Sequence, residues 1–319
     1  MNTPQFQQLF DIDAQALPEE AAAGLRATPA ALPPKFFYDE LGSRLFDAIT
    51  ALDEYYPTRT EAAIFAAQRS EIAAAVHAAC GSAPLMVDLG AGSCAKALSL
   101  FDALQPRRYV AVDISVAFLR AALERVQREH PALEVHGVGF DFSSRLALPA
   151  ALVDAPALLF YPGSSIGNFT PEEALRWLRE ACDAAQGGAL LIGVDLVKAR
   201  PVLELAYDDP LGVTAAFNLN LLRHVNRLLG SDFDLRQWQH LAFYNATESR
   251  IEMHLKAREP LVVRWPGDER RFAAGETIHT ENSYKWRRED FEALLREAGF
   301  GSVRTWCDAD EAFAVMVAR

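Results

Sequence analysis

Short apolar runs, most of them stopped by glycine or a carboxylate, recur through the middle of the chain. Residues 85–89 run into Gly90-Ala91-Gly92, residues 109–112 stop at Asp113, and residues 135–140 stop at Asp141. Two more runs cover residues 157–161 and 189–196. Stretches of helical texture lie around them at 60–80, 95–104 and 115–129, the first alanine-rich and ending near Cys80-Gly81. Ahead of the last run, Thr170-Pro171-Glu172-Glu173 carries a capping threonine, a first-turn proline and the glutamate of a capping box. Gly187-Gly188 closes that helix. Strands that are apolar throughout must be covered on both faces, and strands alternating with helices pair in parallel. Residues 85–196 therefore predict one α/β core.

After Leu196 the alternation stops for about 90 residues. Residues 213–229 predict an amphipathic helix, and residues 250–255 and 261–265 predict antiparallel strands. Residues 288–298 predict a helix closed by Gly299. Two last strands, 302–307 and 312–317, flank Asp308-Ala309-Asp310-Glu311 and predict a hairpin. A mostly parallel, Rossmann-like sheet closed by a C-terminal antiparallel hairpin resembles the class I core of S-adenosylmethionine-dependent methyltransferases. The insertion, with the first 60 residues, predicts a second α+β domain.

Composition narrows the function. The chain has 319 residues, 50% hydrophobic and 23% charged, a soluble globular balance long enough for about two domains. A net charge of −12 argues against nucleic acid or an anionic membrane as partner and favours a small ligand. No apolar run approaches the ~18 residues that span a bilayer. The opening MNTPQFQQLFDID has neither the basic start nor the apolar stretch of a secretion signal. Cys80, Cys94, Cys182 and Cys307 are too scattered for a zinc pair or a disulfide framework, so a reducing cytoplasmic compartment is expected. The seven histidines show no HxxxH or HxH spacing, and no metal site is expected.

Asp88-Leu89-Gly90-Ala91-Gly92-Ser93-Cys94-Ala95-Lys96 falls at a strand-to-helix turn, where glycine lets backbone approach a ligand. Gly90, Gly92 and Ala95 also fit the dinucleotide fingerprint, which keeps a NAD-dependent oxidoreductase as an alternative. Asp88, two positions before the first glycine, and the terminal hairpin favour a methyltransferase instead. Asp113, 23 positions after Gly90, can accept ribose hydroxyls from either cofactor. Asp141-Phe142 offers an acceptor for an adenine amino group and an apolar ring contact. Cys94 stands where many methyltransferases carry a third glycine.

Several segments are more specific. They include Leu32-Pro33-Pro34-Lys35-Phe36-Phe37-Tyr38-Asp39, then Glu54-Tyr55-Tyr56-Pro57-Thr58-Arg59-Thr60-Glu61, and Gly163-Ser164-Ser165-Ile166-Gly167-Asn168. Further on come Asp195-Leu196-Val197-Lys198, Ala206-Tyr207-Asp208-Asp209, Arg250-Ile251-Glu252-Met253 and Thr280-Glu281-Asn282-Ser283-Tyr284-Lys285. In this order, from about residue 32 to 288, they closely resemble the histidine Nα-methyltransferases of ergothioneine biosynthesis, the EgtD family.

The resemblance implies S-adenosyl-L-methionine as cofactor and trimethylation of L-histidine to hercynine. It implies a core from 60–198 and 288–319 and a substrate-binding domain from 1–59 and 199–287. Cofactor contacts would fall on Gly90, Lys96, Asp113, Asp141 and Phe142. Substrate contacts would fall on Tyr55, Asn168, Tyr207, Met253, Glu281 and Ser283. Cys94-Ala95 departs from the serine-acid step associated with the family.

The chemistry suits those residue types. Phenols and an amide bind a zwitterion without adding net charge, and a buried glutamate accepts the imidazole N–H. Met253 makes an adaptable apolar wall beside the ring. Tyr38 and Tyr55 present aromatic faces to a quaternary ammonium, an attraction of ~0.5–2 kcal/mol. Water or Tyr38 can relay the proton that the amine sheds, and no side chain is singled out as the base. The expected partners are L-histidine and its mono- and dimethylated forms, bound by a monomer without nucleic acid or membrane contacts. The nearest rival methylates another aromatic amino acid such as tryptophan, which Glu281 with Met253 disfavours. Asp208-Asp209 reads as helix capping rather than metal binding. A nucleotide-binding module without chemistry is the non-enzyme alternative.

Overall fold

A computed structural model describes residues 3–9, 16–143 and 145–319. In chain order its strands begin with β1 (Gln5–Gln8), β2 (Ala30–Ala31), β3 (Leu85–Leu89), β4 (Arg108–Asp113) and β5 (Glu134–Gly139). Next come β6 (Ala157–Tyr161), β7 (Ala189–Asp195), β8 (Trp238–Asn245), β9 (Arg250–Ala257) and β10 (Leu261–Trp265). The last are β11 (Asp268–Phe272), β12 (Thr277–Tyr284), β13 (Val303–Cys307) and β14 (Phe313–Ala318). The chain forms two compact units, one of residues 1–9, 57–197 and 284–319, the other of residues 10–56 and 198–283.

The first unit holds an eight-stranded sheet in the order β1-β5-β4-β3-β6-β7-β14-β13. Pairing is parallel from β1 to β7, and β14 runs antiparallel to both β7 and β13. This is the class I methyltransferase arrangement, a parallel sheet closed by an antiparallel hairpin. The order of strands reverses between β3 and β6, the switch point beside which ligands of such sheets bind.

Why the central strands read as unbroken apolar runs is visible in their packing. Leu85, Val87 and Leu89 enter one buried cluster while Met86 enters another, and Val110 and Val112 part from Tyr109 and Ala111 in the same way. Both faces are covered, so nearly all side chains along these strands are apolar, and a polar one such as Asp88 needs a buried partner.

Local differences from the sequence reading have local causes. The stretch 95–104 is two short helices, Ala95–Leu98 and Phe101–Leu104, because Ser99 Oγ donates to the Lys96 carbonyl at 2.6 Å and the next bond tightens to Leu100 N on Ala97 O. Strand β1 pairs with β5, Phe6 opposite Gly137, although the sequence placed residues 1–59 with the insertion. A Cβ on Gly137 would lie 2.5 Å from the Phe6 ring, so the glycine makes the seat for that side chain.

The second unit packs the sheet β2-β12-β9-β8 with helices Ala16–Arg26, Glu40–Thr50, Arg200–Tyr207 and Val213–Leu229. The segments expected as antiparallel strands at 250–255 and 261–265 lie in different sheets: β9 pairs with β8, whereas β10 pairs with β11. Its core includes Phe37, Phe217, Trp238, Met253 and Ile278.

One polar contact in the first unit is buried outright. Lys285 Nζ donates to Asp195 Oδ2 at 2.7 Å, and the two side chains are 0% and 1% exposed. The Asp195 amide in turn donates to Ser164 Oγ at 2.9 Å. Removing one partner strands the other charge without water, which costs more than the pair contributes when intact. Lys285→Ala is therefore expected to lower unfolding stability by about 3–5 kcal/mol in urea titrations. Asp195→Asn combined with Lys285→Met should recover part of that loss, and equal losses in single and double variants would contradict this account.

Candidate functional site

In the first unit the predicted cofactor residues meet at the carboxyl ends of β3, β4 and β5. Gly90 and Gly92 take φ of +75° and +51°, left-handed values that favour glycine. The Gly90 and Ala91 amides donate to the Val112 carbonyl at 2.9 and 3.1 Å, which closes the turn against β4. Cys94 is also left-handed, with φ of 60°. The residue that departs from the glycine pattern thus keeps the glycine conformation, and its side chain is buried.

Asp113 stands beside this turn. Its Oδ2 accepts from Gly92 N at 2.9 Å and its Oδ1 from Ser115 N at 2.8 Å. A carboxylate has about four acceptor sites, so capacity remains here for a ribose hydroxyl. Burial raises its pKa, against three backbone amides that lower it. Phe142 reaches the same place, since a Cβ on Gly90 would lie 3.7 Å from its ring tip. Behind it, Phe142 meets Tyr161 edge-on with centroids 5.7 Å apart. Asp141 accepts from Ser143 N and Oγ at 3.0 and 2.5 Å. Backbone without Cβ, a ribose-type carboxylate and an apolar ring in one place fit an adenosyl group. Lys96 follows in the next helix and donates to Glu61 Oε2 at 2.6 Å.

The predicted substrate residues fall in both units. Asn168 is in the first, at the end of the short 3-10 helix Ser165–Asn168, and is half-buried. The others are in the second, where the aromatic residues and the end of β12 meet. Tyr207 OH and Ser283 Oγ are hydrogen-bonded at 2.7 Å. Tyr55 meets Tyr207 with centroids 6.1 Å apart and Phe46 at 6.2 Å, and Phe46 meets Tyr38 at 5.9 Å. Met253 shares the buried cluster of Tyr55 and Tyr207, and its carbonyl accepts from Thr280 Oγ1 at 3.0 Å. Glu281, next along β12, is half-buried.

Two groupings were not apparent from the sequence. Lys198 Nζ donates to Tyr56 OH at 2.7 Å, across 142 residues of chain. Glu252, His254 and His279 bring possible metal-ligand atoms within 4.8 Å of one another, on strands whose sequence spacing gives no such signal. Here Glu252 is already engaged by Asn245 at 2.9 Å, Arg250 at 2.8 Å and His254 at 3.0 Å. Burial pushes its carboxyl up, but these three partners outweigh burial and hold it down at about 2. Arg250 and Asn245 share Oε1 and His254 takes Oε2, so the carboxylate is matched by the protein's own groups. Asp209 behaves as the sequence suggested, capping Val213–Leu229 through the Val213 and Thr214 amides at 3.0 and 2.8 Å.

Asp88 carries the clearest electrostatic perturbation. It is buried under the glycine turn and accepts the Tyr109 hydroxyl at 2.6 Å. Burial pushes its carboxyl up to about 7, with the Tyr109 bond opposing and the Asp113 charge assisting. The folded chain holds this proton more tightly than the unfolded chain does, so stability falls as pH rises from about 4 to about 7. Asp88→Asn keeps an acceptor for Tyr109 and abolishes the titration. Relative to the parent, the variant should gain on the order of a few kcal/mol between those pH values, measured by denaturant unfolding without ligand. A difference that stays flat with pH would contradict this.

Comparisons with known proteins identify the family. The family described as "Histidine-specific methyltransferase, SAM-dependent" matches residues 17–319. A histidine N-alpha-methyltransferase of Mycolicibacterium smegmatis is 43% identical over 97% of this chain and 96% of its own. One of Mycobacterium tuberculosis is 41% identical, over 95% of this chain and 94% of its own. "Ergothioneine biosynthesis protein 1" of Neurospora crassa is 28% identical over 89% of this chain, which spans 32% of that longer protein.

Proposed function

We propose that this chain, which belongs to the family of histidine-specific, S-adenosylmethionine-dependent methyltransferases, methylates the α-amine of free L-histidine three times to give hercynine, the first step of ergothioneine biosynthesis. What supports the substrate is the hydrogen bond between Tyr207 and Ser283, which ties the polar end of β12, Glu281 included, to the apolar cluster of Tyr55 and Met253 with Tyr38 packed against it.

In this reading Gly90, Lys96, Asp113, Asp141 and Phe142 hold the cofactor. When bound, it supplies a methyl group on a sulfonium, an electrophile that needs neither metal nor covalent enzyme intermediate. The protein's work is to align the amine lone pair and keep water out. Tyr55, Tyr207 and Asn168 engage the amino and carboxylate groups of the substrate. Glu281 accepts the imidazole N–H, with Met253 against the ring and Ser283 a further substrate contact. Tyr38 or water takes the proton that each methylation requires the amine to lose. The faces of Tyr38 and Tyr55 retain the amine once its N–H donors are gone. The mono- and dimethylated forms are then substrates of the same site. The reading includes a monomer acting in the cytoplasm. All four cysteines are free, and no helix among the described residues is long and apolar enough to cross a membrane.

Incubation with S-adenosylmethionine and single amino acids, followed by mass spectrometry, tests the reading. Histidine should gain three methyl groups and tryptophan, leucine and phenylalanine none. A gain on tryptophan with none on histidine would overturn it. Glu281→Ala should raise the histidine KM about ten- to hundredfold, the loss of one hydrogen bond to a charged group, while S-adenosylhomocysteine affinity barely changes. Equal losses for both ligands would make Glu281 structural.

A further inference from the structure

We infer that Glu61, to which neither the sequence motifs nor the function above gives a task, is a positioning residue that ties the cofactor turn to the Asn168 loop. Its carboxylate is fully buried on the helix Tyr56–Cys80. Oε2 accepts from Lys96 Nζ at 2.6 Å, and Oε1 accepts from the Gly163 amide at 2.7 Å. Lys96 belongs to the loop-and-helix segment after β3, and Gly163 opens the loop after β6. These are the two strands at which the sheet order reverses, so one carboxylate joins both sides of the switch point.

The surroundings are shaped to hold that carboxylate. A Cβ on Gly193, in β7, would lie 2.0 Å from Glu61 Oε1, so the strand carries glycine where the carboxylate rests. A Cβ on Gly163 would lie 2.9 Å from Lys96 Nζ, and Gly163 has a φ of +80°. A side chain there would be strained by the left-handed backbone and would press on the ammonium. Ser164, also left-handed at φ 59°, then leads into the turn that ends on Asn168. Lys96 has three N–H donors and spends one on Glu61, leaving two for an anionic group of the cofactor. The Glu61 bond fixes the position of an otherwise flexible ammonium, and the Gly163 bond fixes the start of the Asn168 loop.

The inference rests on the proposed roles of Lys96 and Asn168, and its test separates the two arms. Glu61→Gln retains an amide oxygen for Gly163 N and loses the ionic hold on Lys96. It should weaken S-adenosylhomocysteine binding about tenfold by titration calorimetry, the scale of one charge-assisted hydrogen bond, and change the histidine KM less than about twofold at saturating cofactor. Lys96→Gln should show the same weakening, and the double variant no more than either single one. Glu61→Ala removes both bonds and should raise the histidine KM as well. Where Glu61→Ala fails to fold, the isosteric glutamine variant and Lys96→Gln, with its half-exposed side chain, still decide the matter. Binding within twofold of the parent in Glu61→Gln, or losses that multiply in the double variant, would overturn the inference. A parent that binds S-adenosylhomocysteine but leaves histidine unmethylated would overturn the proposed substrate instead, because the calorimetric arm needs no amino acid.

Discussion

A parallel sheet covered on both faces can present polar chemistry only where its strands end. Most side chains along β3, β4, β6 and β7 enter one apolar layer or the other, so the carboxylates and ammonium groups gather in the last residues of the strands and the loops beyond them. The turn after β3, Asp113 at the end of β4, Asp141-Phe142 after β5 and the Gly163 loop after β6 all follow from that one constraint. The reversal of strand order between β3 and β6 opens the place where loops from different strands can share a ligand.

Gathering polar groups at buried strand ends has an electrostatic cost, which the fold meets locally. Asp195 is matched by Lys285, Glu61 by Lys96 and the Gly163 amide, and Asp88 by the Tyr109 hydroxyl. The first two pairs are ionic and hold loops in place. Asp88 is hydrogen-bonded by a neutral hydroxyl, and burial outweighs that bond and the Lys96 charge and raises its pKa. These partners are far apart in sequence, 90 residues for Asp195 and Lys285 and 35 for Glu61 and Lys96.

The second unit works by other means. Its core is aromatic, with Phe37 stacked on Phe217 at 4.5 Å and Tyr38 edge-on to the same ring at 5.9 Å. Against this lies β12, whose sequence Thr-Ile-His-Thr-Glu-Asn-Ser-Tyr lacks the apolar alternation of an ordinary strand. That polarity hid it from periodicity: its side chains answer to hydrogen bonds with Asn218, Tyr207 and the Met253 carbonyl as well as to the core. Strand β8 was hidden for a related reason, since most of its residues are only half-buried. Strand β1 offers a single aromatic, and only its seat on Gly137 shows which sheet it joins.

The amino-acid sequence by itself determined the α/β core, its terminal hairpin, the glycine turn and the capping box at Thr170, because those depend on short-range periodicity and local backbone preference. The segments that resemble a histidine methyltransferase were also legible as strings of residues. Tertiary structure alone decided which side chains meet. It paired Glu61 with Lys96, closed Tyr207 on Ser283, set Phe142 over Gly90 and gathered Glu252, His254 and His279, contacts made across loops and sheets that no local pattern encodes. It also explained Cys94, a departure in sequence that preserves the left-handed backbone the turn requires. Local patterns specify elements because they act over a few residues, whereas partners are chosen by the packing that brings distant residues together.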